Sequence, residues 1–100
     1  MIARVWRASV DAARVEDYER FAGERSTPFF LRQEGCRGVL MYRRGGLCTV
    51  ITLWSGQEQA DALSASAGYR DLVAGIRDQG FILDEALDGS FDVHEASIRP

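Results

Sequence analysis

A chain of 100 residues can bury one hydrophobic core and no more, so a single domain spanning residues 1–100 and a single site are expected. Hydrophobic residues make up 46% and charged residues 27%, the balance of a soluble globular domain, and no stretch approaches the ~18 continuous apolar residues of a membrane span. A net charge of -3 with scattered arginines gives no broad attraction for phosphate backbones, so neither nucleic acid nor membrane is an expected partner.

Residues 2–9 alternate as a strand, with Ile2, Arg4, Trp6 and Ala8 on one side and Ala3, Val5, Arg7 and Ser9 on the other. Each side carries an arginine. Asp11 is suited to cap the helix that follows, in which Val15, Tyr18, Phe21 and Ala22 recur at three- and four-residue spacing. That helix is expected to stop before Pro28, and Pro28-Phe29-Phe30-Leu31 to form a second short helix folding back over the sheet.

Residues 39–43 and 47–54 flank Arg44-Gly45-Gly46, a connection of the kind that closes a β-hairpin. The second of these strands, Leu47-Cys48-Thr49-Val50-Ile51-Thr52-Leu53-Trp54, is rich in the β-branched and aromatic residues that suit a packed pleated surface. Residues 57–64 read as helix, Gly68 as a separator, and Tyr69, Leu72, Val73 and Ile76 as the apolar stripe of a further helix ending at Gly80. Residues 81–87 read as a connecting segment and 91–98 as the last strand.

Strand, helix, strand, strand, helix, strand is the split βαβ order of an α+β, ferredoxin-like βαββαβ fold, with a four-stranded antiparallel sheet in spatial order 4-1-3-2. Helices would cover one face of that sheet. Neither alternating set of the first or third strand is polar enough to face water, so a homodimer with two stacked sheets is expected, a dimeric α+β barrel.

The inventory of reactive side chains is short. All 12 basic residues are arginine, which excludes lysine Schiff-base chemistry. Cys36 and Cys48 are too far apart for a CxxC pair, and with one histidine, His94, no metal-ligand cluster is expected. The N-terminal residues alternate apolar and charged where a signal peptide would run unbroken, so a cytoplasmic location with reduced thiols is the default expectation.

In their order and spacing the segments Ile2-Ala3-Arg4-Val5-Trp6-Arg7, Tyr18, Gly35-Cys36-Arg37-Gly38 leading into Tyr42-Arg43-Arg44, Thr52-Leu53-Trp54-Ser55, Phe81-Ile82-Leu83 and Val93-His94-Glu95 resemble the antibiotic biosynthesis monooxygenase-type domains. The resemblance covers nearly the whole chain. It implies a cavity between sheet and helices that takes a small, often aromatic or polycyclic, molecule, and a chemistry that differs from member to member. The Asn, Trp and His set of the haem-degrading branch falls on Trp6, Leu63 and Val73, so haem degradation by that route is not expected. Haem held by His94 is a third, weaker reading.

What the resemblance implies is a cofactor-independent monooxygenase acting on a small phenolic compound, with a non-catalytic small-molecule-binding protein of the same fold as the alternative. Such oxygenation needs a base, donors for the substrate anion and a dry pocket. His94 is the side chain nearest neutrality and the candidate base, with Arg4 and Arg7 as candidate anion contacts. Trp6, Tyr69, Phe29 and Phe30 are the candidate substrate-binding aromatics. Each has a plainer reading too: His94 as an edge-strand residue, Arg4 and Arg7 as solvated or paired, and the aromatics as core. In the expected strand order Trp54 lies at the opposite end of the sheet from His94.

Overall fold

The computed structural model describes all residues from Met1 to Pro100. Strand β1 (Ile2–Val10) lies at the centre of the sheet, because both of its edges are taken. Strand β3 (Leu47–Trp54) runs antiparallel along one edge, with Ile2 opposite Trp54 and Ser9 opposite Leu47. Strand β4 (Ile82–Asp92) runs antiparallel along the other. Strand β2 (Cys36–Arg44) pairs outside β3, so the order is β2-β3-β1-β4, the expected topology.

Between β1 and β2 the chain makes one 3₁₀ turn (Ala12–Arg14), helix α1 (Val15–Phe21), a π turn (Ala22–Ser26) and helix α2 (Thr27–Leu31). Asp11 caps the start, its side chain accepting from the Ala13 amide at 3.0 Å. Helix α1 ends before Pro28 and α2 is the expected second short helix, but the π turn joins the two without a break. Pro28 has no amide to donate and its ring crowds the carbonyl four residues back, and the chain makes room by widening the preceding turn: the Thr27 amide donates to the Ala22 carbonyl, five residues back. One continuous helical run results.

Helices α3 (Gln57–Ala65) and α4 (Ala67–Asp78) join β3 to β4. Their separation falls at Ser66, not at Gly68. Ser66 is extended and its hydroxyl accepts from the Tyr69 amide at 3.1 Å, so α4 starts where a capping side chain is available and tolerates Gly68 inside its first turn. Gly80, at φ +82, ends the run in the left-handed conformation that favours glycine.

The last strand lies earlier than expected. Residues 82–92 pair along β1 and the segment 91–98 is strand only as far as Asp92. Pairing is possible only while β1 is there to accept it; Ile2 is opposite Asp92, and the Val93 amide to the Met1 carbonyl at 2.9 Å is the last link. His94 therefore lies beyond the Ile2 end of the sheet, the same end as Trp54, and not toward Arg7.

All helices pack on one face. Residues opposite one another across the strands share a face, which gives the inner rows Val39, Thr52, Arg4, Ser90 and Met41, Val50, Trp6, Leu87. Trp54 and Phe81 are fully buried in the core formed with Tyr18, Phe21, Phe30, Leu63, Leu72 and Ile76. The outer rows, Gly38, Leu53, Ala3, Phe91 and Leu40, Ile51, Val5, Gly89, are apolar and carry no helix.

Candidate functional site

Alternation along β1 turns Arg4 and Trp6 toward the helices and Arg7 away from them. On β3 the same rule places Val50 and Thr52 beside them, and on β2 Met41. Opposite stand Tyr18, Ala22, Ser26 and Phe30 from the first helical run and Tyr69, Leu72, Val73 and Ile76 from α4. Residues four apart drift around an α-helix of about 3.6 residues per turn. The wider π turn at Ala22–Ser26 takes up that drift and holds all four side chains of the first run against the sheet. These two helical faces and the inner face of the sheet enclose a cavity of about 40 Å³.

Its walls are mainly apolar, and its polar groups converge on one region. Arg4 is only 5% exposed, yet it makes no ion pair with any carboxylate. Its Nη2 donates to the Tyr69 hydroxyl oxygen at 3.0 Å, and its guanidinium carbon lies 4.7 Å from the centre of the Tyr69 ring. Thr52 accepts from Trp54 Nε1 at 2.8 Å, which leaves its own hydroxyl hydrogen free. Ser26 is buried and lines the same space. A buried charge without a counter-charge is costly, and the aromatic face and phenol oxygen of Tyr69 offset only part of that cost.

Tyr18, on the opposite wall, is a neutral group. Burial is the main cause that pushes its phenol well above the ordinary range, with Cys48 adding to it. Burial likewise raises the Cys48 thiol, against the pull of a Tyr18 hydrogen bond and of Arg43. Neither is a base at neutral pH. No histidine, cysteine or carboxylate lines the cavity.

The residues expected from the sequence thus divide. Arg4, Trp6, Tyr69 and Phe30 come together around the cavity. Phe29 does not: it packs edge-on against Phe30 at 5.7 Å and closes over Gly68. Arg7 is exposed on the other face of the sheet, paired with Asp88. His94 is exposed beyond the end of β4, outside the cavity wall. Ser26, Thr52 and Met41 were missed, although the four-residue recurrence Tyr18, Ala22, Ser26, Phe30 and the alternation Val50, Thr52, Trp54 were visible signals.

No cluster of three or more His, Cys, Asp or Glu side chains is arranged to hold a metal, and no helix is long and apolar enough to cross a membrane. No protein-family model matches the sequence, and no curated protein matches it. Solved structures do match the fold. A Deinococcus radiodurans protein provisionally named an antibiotic biosynthesis monooxygenase superposes with a TM-score of 0.78 at 13% identity, covering 100% of this chain and 99% of its own. A similarly named protein of Nitrosomonas europaea gives 0.73 at 14% over 95% and 100% of the two chains. A conserved protein of Methanosarcina mazei gives 0.72 at 14% over 90% and 89%. Likeness at this identity is a likeness of fold.

Proposed function

We propose that this protein binds a small aromatic phenol or enol as its anion between sheet and helices and oxygenates it without a cofactor. The observation that carries the reading is Arg4: a buried guanidinium with no carboxylate partner, at the edge of an apolar cavity. A phenolate oxygen on Arg4 would complete the charge balance, and in a site poor in water that contact lowers the phenol's pKa. The proton then leaves to solvent, since no lining residue is suited to take it. The electron-rich anion reduces O₂. For an anthrone-like substrate one oxygen atom replaces the two hydrogens of the ring CH₂ as C=O, and those hydrogens leave with the other oxygen atom as water. The substrate supplies all four electrons. The names of the fold relatives, two of them provisional monooxygenases, support this chemistry.

A second reading, a binding protein without turnover, is favoured by one observation: the cavity holds no histidine, cysteine or carboxylate. Oxygen uptake with a panel of hydroquinones and anthrone-like phenols separates the two. Monooxygenation predicts uptake that Arg4→Met reduces at least tenfold and His94→Ala leaves within twofold. Saturable binding without uptake would establish the second reading. Uptake that depends on His94 and not on Arg4 would overturn the role given to Arg4.

The bare outer face of the sheet supports a further part of the proposal, a homodimer joined sheet to sheet. Haem binding has no support in the cavity's side chains, and a haem titration without a Soret shift would close that reading.

A further inference from the structure

The cavity around Arg4 is too small for the ring it is proposed to serve. At about 40 Å³ it holds a few atoms, well below the ~150 Å³ of an engineered apolar cavity that takes up benzene. A second hollow lies directly outside it. That hollow is about 610 Å³, lined by Tyr18, Glu19, Ala22, Gly23, Thr27, Met41, Tyr42 and Arg43, within the ~300–1,000 Å³ range typical of small-molecule sites. The two spaces share three side chains, Tyr18, Ala22 and Met41.

Those three differ in how readily they yield. Tyr18 is 4% exposed and fixed edge-on against Phe81, with ring centres 6.1 Å apart and planes at 89°. Ala22 is the smallest side chain that still lines the wall. Met41 is half-buried, unbranched and adaptable. The boundary between the spaces is therefore one rigid wall, one minimal wall and one movable one. Among the residues lining the outer hollow Arg43 and Glu19 pair at 3.3 Å, so its charges cancel locally, whereas Arg4 in the inner cavity has no ionic partner.

We infer that the ligand is an elongated organic oxyanion that spans both spaces. Its oxyanion head sits on Arg4 in the inner cavity, and its ring system occupies the outer hollow beside Tyr18 and Gly23. Met41 and Ala22 set the width of the neck between them. The inference rests on the proposed reading for Arg4 as the anion contact, and is independent of whether oxygenation follows.

Binding of the fluorescent probe 2-anthracenecarboxylate, titrated against the whole protein, tests it. Gly23 lines the outer hollow, is exposed, and a Cβ there would meet nothing within 4 Å. Gly23→Phe therefore fills the outer hollow without touching the inner cavity, and as a helical glycine replacement it leaves the fold intact, which far-UV circular dichroism checks. Gly23→Phe and Met41→Trp should each weaken the probe about tenfold, or about 1.4 kcal/mol, and Arg4→Met should do the same. Loss with Arg4→Met but unchanged binding in Gly23→Phe and Met41→Trp would overturn the two-chamber arrangement and leave the Arg4 reading standing. Loss with Gly23→Phe but not with Arg4→Met would overturn the Arg4 reading, and the oxyanion head with it. No saturable binding of the probe to the unmodified protein would overturn the inference outright.

Discussion

Gly46 and Val10 meet backbone to backbone: the Val10 amide donates to the Gly46 carbonyl at 2.8 Å, and a Cβ on Gly46 would lie 2.2 Å from the Val10 carbonyl oxygen. The hairpin between β2 and β3 is thereby clamped to the end of β1, and neither side of the contact is a flexible side chain. Gly46→Ala should cost about 2 kcal/mol or more, as overpacking against fixed backbone does. Gly45, at φ +56 with nothing near its missing Cβ, is the contrasting case. Gly45→Asn should cost roughly 1 kcal/mol or less, because asparagine tolerates the left-handed region. Urea denaturation of the two variants measures the difference; equal stabilities would remove the clamp.

Arg4 is expected to be held for binding at the expense of stability. A buried charge lacking an ionic partner carries a desolvation cost that no counter-charge offsets, and an apolar side chain of similar length removes that cost. Arg4→Met should therefore leave the ligand-free protein as stable as before or raise its stability by about 1 kcal/mol, while weakening oxyanion binding about tenfold. A loss of more than about 2 kcal/mol in the same denaturation experiment would assign Arg4 to the core instead.

Alkaline pH should weaken the fold through Tyr18 and Cys48. Burial raises both groups in the folded chain, so the folded state binds their protons more tightly than the unfolded state does. Their contribution is fully present below the unfolded values, about 8.5 for the thiol and about 10 for the phenol, and is lost as pH rises through and above that range. Tyr18→Phe should be less stable at pH 7, where it lacks the hydroxyl's contact, but should show a flatter decline between about pH 9 and 11. Thermal unfolding across that range checks it, and parallel declines in the two proteins would exclude Tyr18 as the source.

The outer face of the sheet leaves Leu40 53%, Tyr42 54% and Phe91 52% exposed in one chain. Leu40 lies in a row with Ile51 and Val5, and Phe91 in a row with Ala3 and Leu53, so these form a continuous apolar surface. Sedimentation velocity at micromolar concentration should show a dimer. Leu40→Glu should shift it to monomer, with the far-UV spectrum unchanged. A stable monomer for the unmodified protein would exclude the sheet-to-sheet arrangement.

Much of this molecule was legible from local signals. Period-two alternation marked β1, β-branched and aromatic residues marked β3, helical spacing marked the stripe of α4 with Tyr69, Leu72, Val73 and Ile76, and Gly45-Gly46 marked the hairpin. From these the element order and the strand order followed, because few connections are compatible with short loops and one covered face. Such signals act over a handful of residues, and they place Arg4 and Arg7 on opposite faces without saying which face is covered.

Tertiary structure alone decided that question. Helices packed over the side holding Arg4 and Trp6, and so made Arg4 a buried charge and Arg7 a surface one. It also joined the first helix to the second without a break, since a π turn held against the sheet absorbs a clash at Pro28 that an isolated helix would avoid by ending. The limits of β4 were likewise set by its partner: strand pairing stops where β1 runs out, at Ile2 opposite Asp92, which leaves His94 outside. Pairing, burial and charge compensation are properties of what lies across from a residue, and sequence neighbours do not specify that.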